Sequence, residues 1–102
     1  MKWFKCGSAE IGLKEIDSKY DNRIQAKFIL KLNGEVIYTS DDLQSGMYST
    51  YDLKDMANLT LDFMVCGDFL PSDIRQKLEN SIEYDFENED DQDARYYLEE
   101  IN

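Results

Sequence analysis

The sequence contains no histidine, and this absence narrows the chemistry open to the chain. Histidine is the commonest general base near neutral pH, the commonest metal ligand and the usual activator of a nucleophilic serine or cysteine. The five glycines form neither a phosphate-binding loop nor a dinucleotide fingerprint. The acidic stretch 85–93 lacks the glycine that an EF-hand calcium loop needs at its sixth position. We therefore predict a protein that is not an enzyme and that holds neither a cofactor nor a metal.

Long apolar runs and clustered cysteines are also missing. No stretch approaches the ~20 apolar residues of a membrane-spanning helix, and the apolar run around Trp3 is too short for a signal peptide. Cys6 and Cys66 lie far apart in the sequence and do not form a CxxC motif. We interpret them as two reduced, buried thiols, and a disulfide between them stays open. The sequence predicts a cytoplasmic protein that contacts no membrane.

Charge is present in quantity and is distributed very unevenly. Residues 1–50 carry seven bases and seven acids, whereas residues 51–102 carry four bases and fifteen acids and supply the whole net charge of −11. Eight carboxylates and no base lie between Glu79 and Asp93. Such a surface repels nucleic acid and anionic membranes, and it attracts basic protein surfaces through a field that salt screens. We predict a basic protein surface as the partner and no direct contact with nucleic acid.

Length and hydrophobic patterning predict one acidic α+β domain that spans residues 1–102. A chain of this length with 42% hydrophobic side chains is large enough for a single core. Strand-like runs occupy 2–6, 11–16 and the hairpin 23–40. Helical spacing occupies 53–66, 72–82 and 94–101. The expected architecture is a small antiparallel sheet packed by two to three C-terminal helices.

Two local features of this fold admit alternatives. A two-residue turn at Asn33-Gly34 sets Leu32 opposite Glu35 and mixes apolar and polar side chains on one face. We favour a three-residue loop that ends in Gly34, because it separates the two kinds of side chain. This register gives three cross-strand pairs: Lys31 with Glu35, Leu30 with Val36 and Phe28 with Tyr38. The stretch 59–66 fits a helix that Ser49 or Thr50 caps, and it also alternates like a strand.

The acidic run and the neighbouring tyrosines form the candidate binding surface. Carboxylates accept bidentate hydrogen bonds from arginine much as phosphates do, and tyrosines with a polar rim are typical interface hot spots. We expect Tyr96 to be exposed because it lies off the apolar stripe of the final helix, and Tyr97 to pack in the core. The candidate partner-binding residues are Glu83, Tyr84, Asp85, Glu87, Glu89, Asp90, Asp91, Asp93 and Tyr96, with Tyr48 and Tyr51 in the central loop.

If the acidic run is helical, its charges have nearly the spacing of phosphates. Its fifteen residues then span ~22 Å, about one charge per ~3 Å, against ~3.4 Å in one nucleic-acid strand. In charge and size the chain is similar to immunity proteins that neutralise nuclease toxins, and to phage-encoded nucleic-acid mimics that block host defence complexes. The leading hypothesis is a non-catalytic inhibitor that occludes the nucleic-acid-binding surface of a partner such as a nuclease.

Three other interpretations fit the same residues. A structural or assembly subunit self-associates through the hairpin edge or through the central loop around Met47 and Tyr48. A small-molecule binder needs an apolar pocket between the sheet and the helices. The acidic run also fits a solvated face that only keeps the domain in solution. The sequence leaves the oligomeric state and the identity of the partner open.

Overall fold

A computed structural model describes residues 1–16, 25–40, 43–44, 52–88 and 95–101. Within these residues, six strands and two α-helices form an α+β fold, as predicted. The strands are β1 (Lys2–Cys6), β2 (Ala9–Ile16), β3 (Gln25–Leu32), β4 (Glu35–Thr39), β5 (Leu43–Gln44) and β6 (Glu99–Ile101). The helices are α1 (Leu53–Cys66) and α2 (Ser72–Ser81), and a 3₁₀ turn occupies Phe86–Asn88.

The strands form one antiparallel sheet in the order β4-β3-β2-β1-β6, and β5 extends the β4 side by pairing with β3. Successive side chains of a strand point to opposite faces, and alternate positions are apolar over residues 4–6 of β1, 9–13 of β2 and 26–32 of β3. These positions form the inner face, which shares one core with α1 and α2. The buried residues of the inner face are Phe4, Cys6, Ala9, Ile11, Leu13, Ala26, Phe28, Leu30 and Leu32.

Both helices form where the apolar spacing predicts them. The side chain of Asp52 accepts a hydrogen bond from Asp55 N at 2.8 Å and caps α1, so the cap expected at Ser49 or Thr50 is wrong. The helix continues to Cys66, which excludes the strand alternative for residues 59–66. The buried side chains of α1 recur at helical spacing: Met56, Ala57, Asn58, Thr60, Leu61 and Met64.

The hairpin of β3 and β4 turns through two residues, and the favoured three-residue loop is wrong. Asn33 and Gly34 have positive φ values of 54° and 82°, as a two-residue type I′ turn requires. Leu32 therefore lies opposite Glu35, and the expected pair of Lys31 and Glu35 does not form. Local turn chemistry decides the register, because asparagine and glycine adopt the left-handed conformation at little cost.

A β-bulge in β4 resolves the mixing of faces that this turn creates. Leu30 lies opposite Tyr38 because the register shifts by one residue, which leaves Ile37 as the extra residue of β4. The bulge returns Tyr38 to the inner face, where its ring stacks on Phe28 with centroids 5.6 Å apart. Phe28 and Tyr38 thus share a face as expected. The expected cross-strand pairs of Phe28 with Tyr38 and of Leu30 with Val36 are nevertheless wrong, because Tyr38 lies opposite Leu30 and Val36 is exposed.

Residues 95–101 are extended, and the final helix expected there is wrong. Exposure alternates along this segment: Tyr96 is 2% exposed, Tyr97 is 50% exposed and Leu98 is buried again. A helical period of 3.6 and a strand period of 2 both bury Leu98, and they differ at the two tyrosines. The strand period holds because β6 pairs antiparallel with β1 and completes the sheet on that side.

Candidate interaction surface

An acidic-aromatic segment, residues 83–87, follows α2 and runs beside the strand that leads into β6. Asp85 N donates to the Arg95 carbonyl at 3.1 Å, and Tyr97 N donates to the Glu83 carbonyl at 2.9 Å. These two bonds flank one antiparallel bridge, so the first half of the segment behaves as a short strand. The helical form of the acidic run, on which the match to phosphate spacing depends, is therefore excluded for residues 82–88.

Three aromatic rings lead from the core to the surface along this pair. Tyr84 and Tyr96 face each other across the bridge with ring centroids 5.3 Å apart, and Tyr84 lies 6.3 Å from Phe86. The exposed fraction rises from 2% at Tyr96 to 40% at Tyr84 and 76% at Phe86. The Tyr84 ring therefore packs on the buried Tyr96 ring, the Phe86 ring packs on Tyr84, and both Tyr84 and Phe86 are exposed to solvent.

Asn58 and Asp62, one turn apart on α1, hold the strand beside the segment. Asn58 Oδ1 accepts a hydrogen bond from Tyr96 N at 2.8 Å. Asp62 Oδ1 accepts from the Tyr96 hydroxyl at 3.0 Å and from Arg95 Nη1 at 2.8 Å. Burial, and then the neighbouring Asp62 carboxylate, raise the pKa of the Tyr96 phenol, which keeps the hydroxyl as a donor.

Cys6 fixes the point where the acidic-aromatic segment begins. Its Sγ donates to the Glu83 carbonyl and accepts from Glu83 N, both at 3.2 Å. Burial raises the pKa of the Cys6 thiol from 9.0 to about 11, so the thiol remains protonated and able to donate. Cys6 is buried as expected, whereas Cys66 is exposed on α1, and both thiols are free.

The turn between β1 and β2 fixes the end of α2. Ser8 N donates to the Ser81 carbonyl at 2.9 Å. Gly7 has φ +59°, and a Cβ at this position would overlap the Ser81 carbonyl oxygen. A glycine is therefore needed for both the backbone conformation and the close approach. The sheet, α2 and the segment that follows α2 are joined at this point.

Ionisation of the Cys6 thiol makes the free energy of unfolding depend on pH in the alkaline range. Its pKa is higher in the folded protein than the ordinary 9.0, so the unfolded chain loses this proton first as the pH rises. The stability that it contributes is complete below pH 9 and is lost as the pH approaches about 11, a loss of about 2 kcal/mol. Urea denaturation at about pH 8 and about pH 10.5 should show a smaller alkaline loss in Cys6→Ala. Equal losses in the two proteins would contradict this assignment, and the part due to Tyr96 should remain in both.

The structure brings together part of the predicted binding surface. Glu83 and Glu87 are exposed, and Asp85 is half-buried, with its Oδ1 accepting from Glu87 N at 3.2 Å at the start of the 3₁₀ turn. Tyr84 is accessible, but the exposure expected for Tyr96 is wrong because its side chain faces α1. The other predicted residues lie outside the described residues: Tyr48, Tyr51, Glu89, Asp90, Asp91 and Asp93.

Sequence reasoning missed three residues that shape this surface. Phe86 is the most exposed aromatic ring among the described residues. Asn58 and Asp62 form hydrogen bonds with the neighbouring strand. Their positions could have been noticed in the sequence, because two polar residues four apart lie on one side of α1 next to its apolar stripe. A buried asparagine in such a stripe needs a partner, and here that partner is a backbone amide.

Comparison with protein-family models, with curated proteins and with solved structures finds no match to this chain. The proposed function therefore depends on the chemistry of the surface. Neither helix in the described part of the chain is long and apolar enough to cross a membrane. The same part contains no group of three or more acidic or cysteine side chains arranged to hold a metal ion.

Proposed function

We propose that this chain is a non-catalytic binding protein that docks its acidic-aromatic segment on a basic surface of a partner protein. The observation that carries the proposal is the exposure of Tyr84 and Phe86 between carboxylates. Adjacent exposed aromatic rings with a polar rim mark interaction sites more often than scattered apolar residues do. Docking would remove both rings from water while the carboxylates face basic groups of the partner.

The backbone of this surface is held in place before a partner arrives. Its first half is bonded to residues 95–97 on one side and to Cys6 on the other. The strand beside it is bonded in turn to Asn58 and Asp62 of α1. A surface that is ordered in advance loses less conformational entropy on binding, so more of the contact energy contributes to affinity.

The carboxylates of Glu83 and Glu87 are exposed and available for a partner. The ion pairs among the described residues use Asp62, Asp68 and Glu100, and Glu83 and Glu87 form none of them. Residues 52–88 carry nine acids and three bases, which gives a field that attracts a basic surface and accelerates association.

The proposed partner class is a nuclease or another nucleic-acid-binding protein in the cytoplasm, and binding would occlude its basic surface. Such surfaces present arginine and lysine to phosphates, and carboxylates accept the same charge-assisted hydrogen bonds. A match to phosphate spacing no longer supports this class, because residues 83–85 are extended and 86–88 form a 3₁₀ turn. Charge and hydrogen-bonding chemistry support it.

Neutralising the segment should slow association with the partner. A Glu83→Gln, Asp85→Asn, Glu87→Gln variant removes three charges, and the asparagine retains an oxygen that can accept from Glu87 N. We expect an association rate about tenfold lower and a weaker dependence on salt. Stopped-flow binding to a basic protein captured from the native host, and to a defined arginine- and lysine-rich peptide, measures both effects.

The matched control changes the same number of charges on the sheet: Glu10→Gln, Glu15→Gln, Glu35→Gln. This variant should bind almost as fast as the wild type. Phe86→Ser should mainly raise the dissociation rate, because Phe86 contributes contact area and no charge. The proposal is wrong if affinity is the same at low and high salt, or if the control slows binding as much as the segment variant does.

The other interpretations receive less support from the geometry. β4 lies at an edge of the sheet, but its bulge at Ile37 disrupts the regular backbone pairing that edge association needs. The central loop around Tyr48 lies outside the described residues. The apolar cavity between β4 and α1 has a volume of about 130 Å³, below the ~300 Å³ at which ligand pockets usually begin. A cavity of about 340 Å³ between the hairpin and α2 is lined in part by Glu35, Asp73 and Lys77, so it is not the apolar pocket that a small-molecule binder needs.

A further inference from the structure

The apolar cavity between the end of β4 and the C-terminal half of α1 is open to solvent on one side. Phe28, Thr60 and Met64 line its inner part and are buried in the core. Phe63 and Phe69 line its outer part, and both rings are more than half exposed. A small molecule in solution can therefore reach the cavity while the domain stays folded.

The lining of this cavity contains a polar atom that the fold leaves unpaired. Ser40 is one of the lining residues, and its Oγ is the one buried side-chain polar atom without a hydrogen-bond partner among the described residues. The Thr60 hydroxyl, in contrast, donates to the Met56 carbonyl at 2.7 Å. Ser40 N donates to the Phe28 carbonyl at 3.0 Å, which fixes the serine backbone beside the cavity. A buried hydroxyl of this kind destabilises the fold unless a further group pairs with it.

The rest of the lining favours an aromatic ligand. The Phe28 and Tyr38 rings stack with their centroids 5.6 Å apart, and the Phe69 ring meets Tyr38 edge to face at 6.1 Å. A further ring among them would gain contacts of the same two kinds. Met64 adds a thioether, which packs favourably against ring edges. An aliphatic ligand of the same size would gain neither kind of contact.

The end of α1 holds the outer rings in place. Gly67 N donates to the Phe63 carbonyl at 2.8 Å where the helix ends. A Cβ on Gly67 would lie 2.9 Å from the Phe69 ring, so this ring packs directly on the glycine backbone. Arg75 Nη1 donates to the Gly67 carbonyl at 2.9 Å and ties the turn to α2. Because the backbone around the opening is bonded in advance, a ligand loses less of its contact energy to ordering the protein.

The volume of the cavity sets the size of the ligand. Pockets for drug-sized ligands usually begin at ~300 Å³, so a cavity of about 130 Å³ excludes them. An engineered apolar cavity of about 150 Å³ binds benzene, and the space here therefore suits one six-membered ring. Water serves the site poorly, since a buried water needs two to four polar partners and most of this lining is apolar.

We propose that this cavity is a binding site for a single-ring phenol. The ring lies among the side chains of Phe28, Tyr38 and Met64, and the phenol hydroxyl pairs with Ser40 Oγ, which can donate or accept. One ligand thus fills the space and satisfies the unpaired hydroxyl. None of residues 83–87 lines the cavity, so the site is separate from the surface of the proposed function.

Nuclear magnetic resonance titration of the isotope-labelled intact chain with phenol and with benzene tests this proposal. The two ligands share a ring and differ by the hydroxyl. We expect both to bind, with phenol about fivefold tighter because it adds one hydrogen bond. The largest shifts should occur at the amides of Phe28, Ser40 and Met64. Ser40→Ala should remove the advantage of phenol and leave the affinity for benzene unchanged.

Ser81→Ala is the matched control, because it removes a serine hydroxyl at the end of α2, outside the cavity. This variant should keep the difference between the two ligands. Far-ultraviolet circular dichroism with thermal melting confirms that both variants fold, and the comparison of phenol with benzene on the wild type needs no variant. The proposal is overturned by equal affinities for the two ligands, by absence of saturable phenol binding, or by shifts confined to residues outside the cavity.

A third ligand separates a free phenol from the tyrosine side chain of a protein. N-acetyltyrosinamide carries the same phenol group on a peptide unit, and it should bind no more tightly than p-cresol. Tighter binding of the amide would assign the cavity to a tyrosine of a partner and overturn the free ligand. None of these measurements involves the basic partner, so their failure and the failure of the proposed function are distinguishable.

Discussion

Replacing Gly7 with alanine is expected to lower the free energy of unfolding by about 3–4 kcal/mol. Roughly 1 kcal/mol comes from placing a side chain at φ +59°. The rest comes from the overlap of the new Cβ with the Ser81 carbonyl oxygen, which is backbone and cannot move away without α2. The hydrogen bond from Ser8 N to that oxygen would be lost as well. Urea denaturation followed by circular dichroism measures the change.

Gly34→Ala is the matched control for Gly7→Ala. Gly34 has φ +82°, a left-handed conformation like that of Gly7, but a Cβ there would meet no atom within 4 Å. The control should therefore lose only the conformational part, about 1 kcal/mol. If both variants lose the same stability, the contact between the β1–β2 turn and α2 is not what makes Gly7 necessary.

Replacing Asn58 with leucine is expected to cost about 2–3 kcal/mol, because the backbone N–H of Tyr96 then lacks its buried acceptor. The loss should be local as well as global, since this bond ties residues 95–97 to α1. Amide hydrogen exchange at Tyr96 and Tyr97 should accelerate more than exchange in β2 or β3. Denaturation and exchange measured on the same variant separate the two effects.

Asn80→Leu provides the same chemical change at an exposed position of α2. Among the described residues, the Asn80 side chain accepts only from the Gln76 side chain, at 3.3 Å on the surface. The substitution should therefore change the free energy of unfolding by no more than about 0.5 kcal/mol. Comparable destabilisation by the two substitutions would mean that the leucine itself is harmful. Unchanged exchange at Tyr96 in Asn58→Leu would show that other contacts hold this strand.

The sequence predicts those parts of the fold where local chemistry and burial agree. Both α-helices carry apolar residues at helical spacing over ten or more positions, and they form where this spacing occurs. The turn at Asn33-Gly34 also forms, because few dipeptides adopt positive φ as readily. The favoured register is nevertheless wrong, since a bulge at Ile37 meets the demands of the turn and of the core together.

The last strand and the exposed surface are not predictable in the same way. Residues 95–101 have too few apolar positions to separate a helical period from a strand period, and only pairing with β1 selects the strand. That contact is long-range and leaves no local signal. For the same reason, the sequence predicts an exposed Tyr96 and a buried Tyr97, whereas the structure has the reverse. The acidic-aromatic segment was located by its charge, whereas Phe86 becomes notable only once its exposure is known.

The pairing of β6 with β1 has a consequence for synthesis on the ribosome. Lys5 pairs with Glu99, which lies 94 positions later in the chain and is reached roughly 5–20 s later at ~5–20 residues/s. During this interval β2 can join β1 on one side, while the other side of β1 keeps unpaired backbone groups. A nascent chain in this state resembles an open strand edge, so we expect a chaperone that binds nascent chains to engage it before residue 99 emerges.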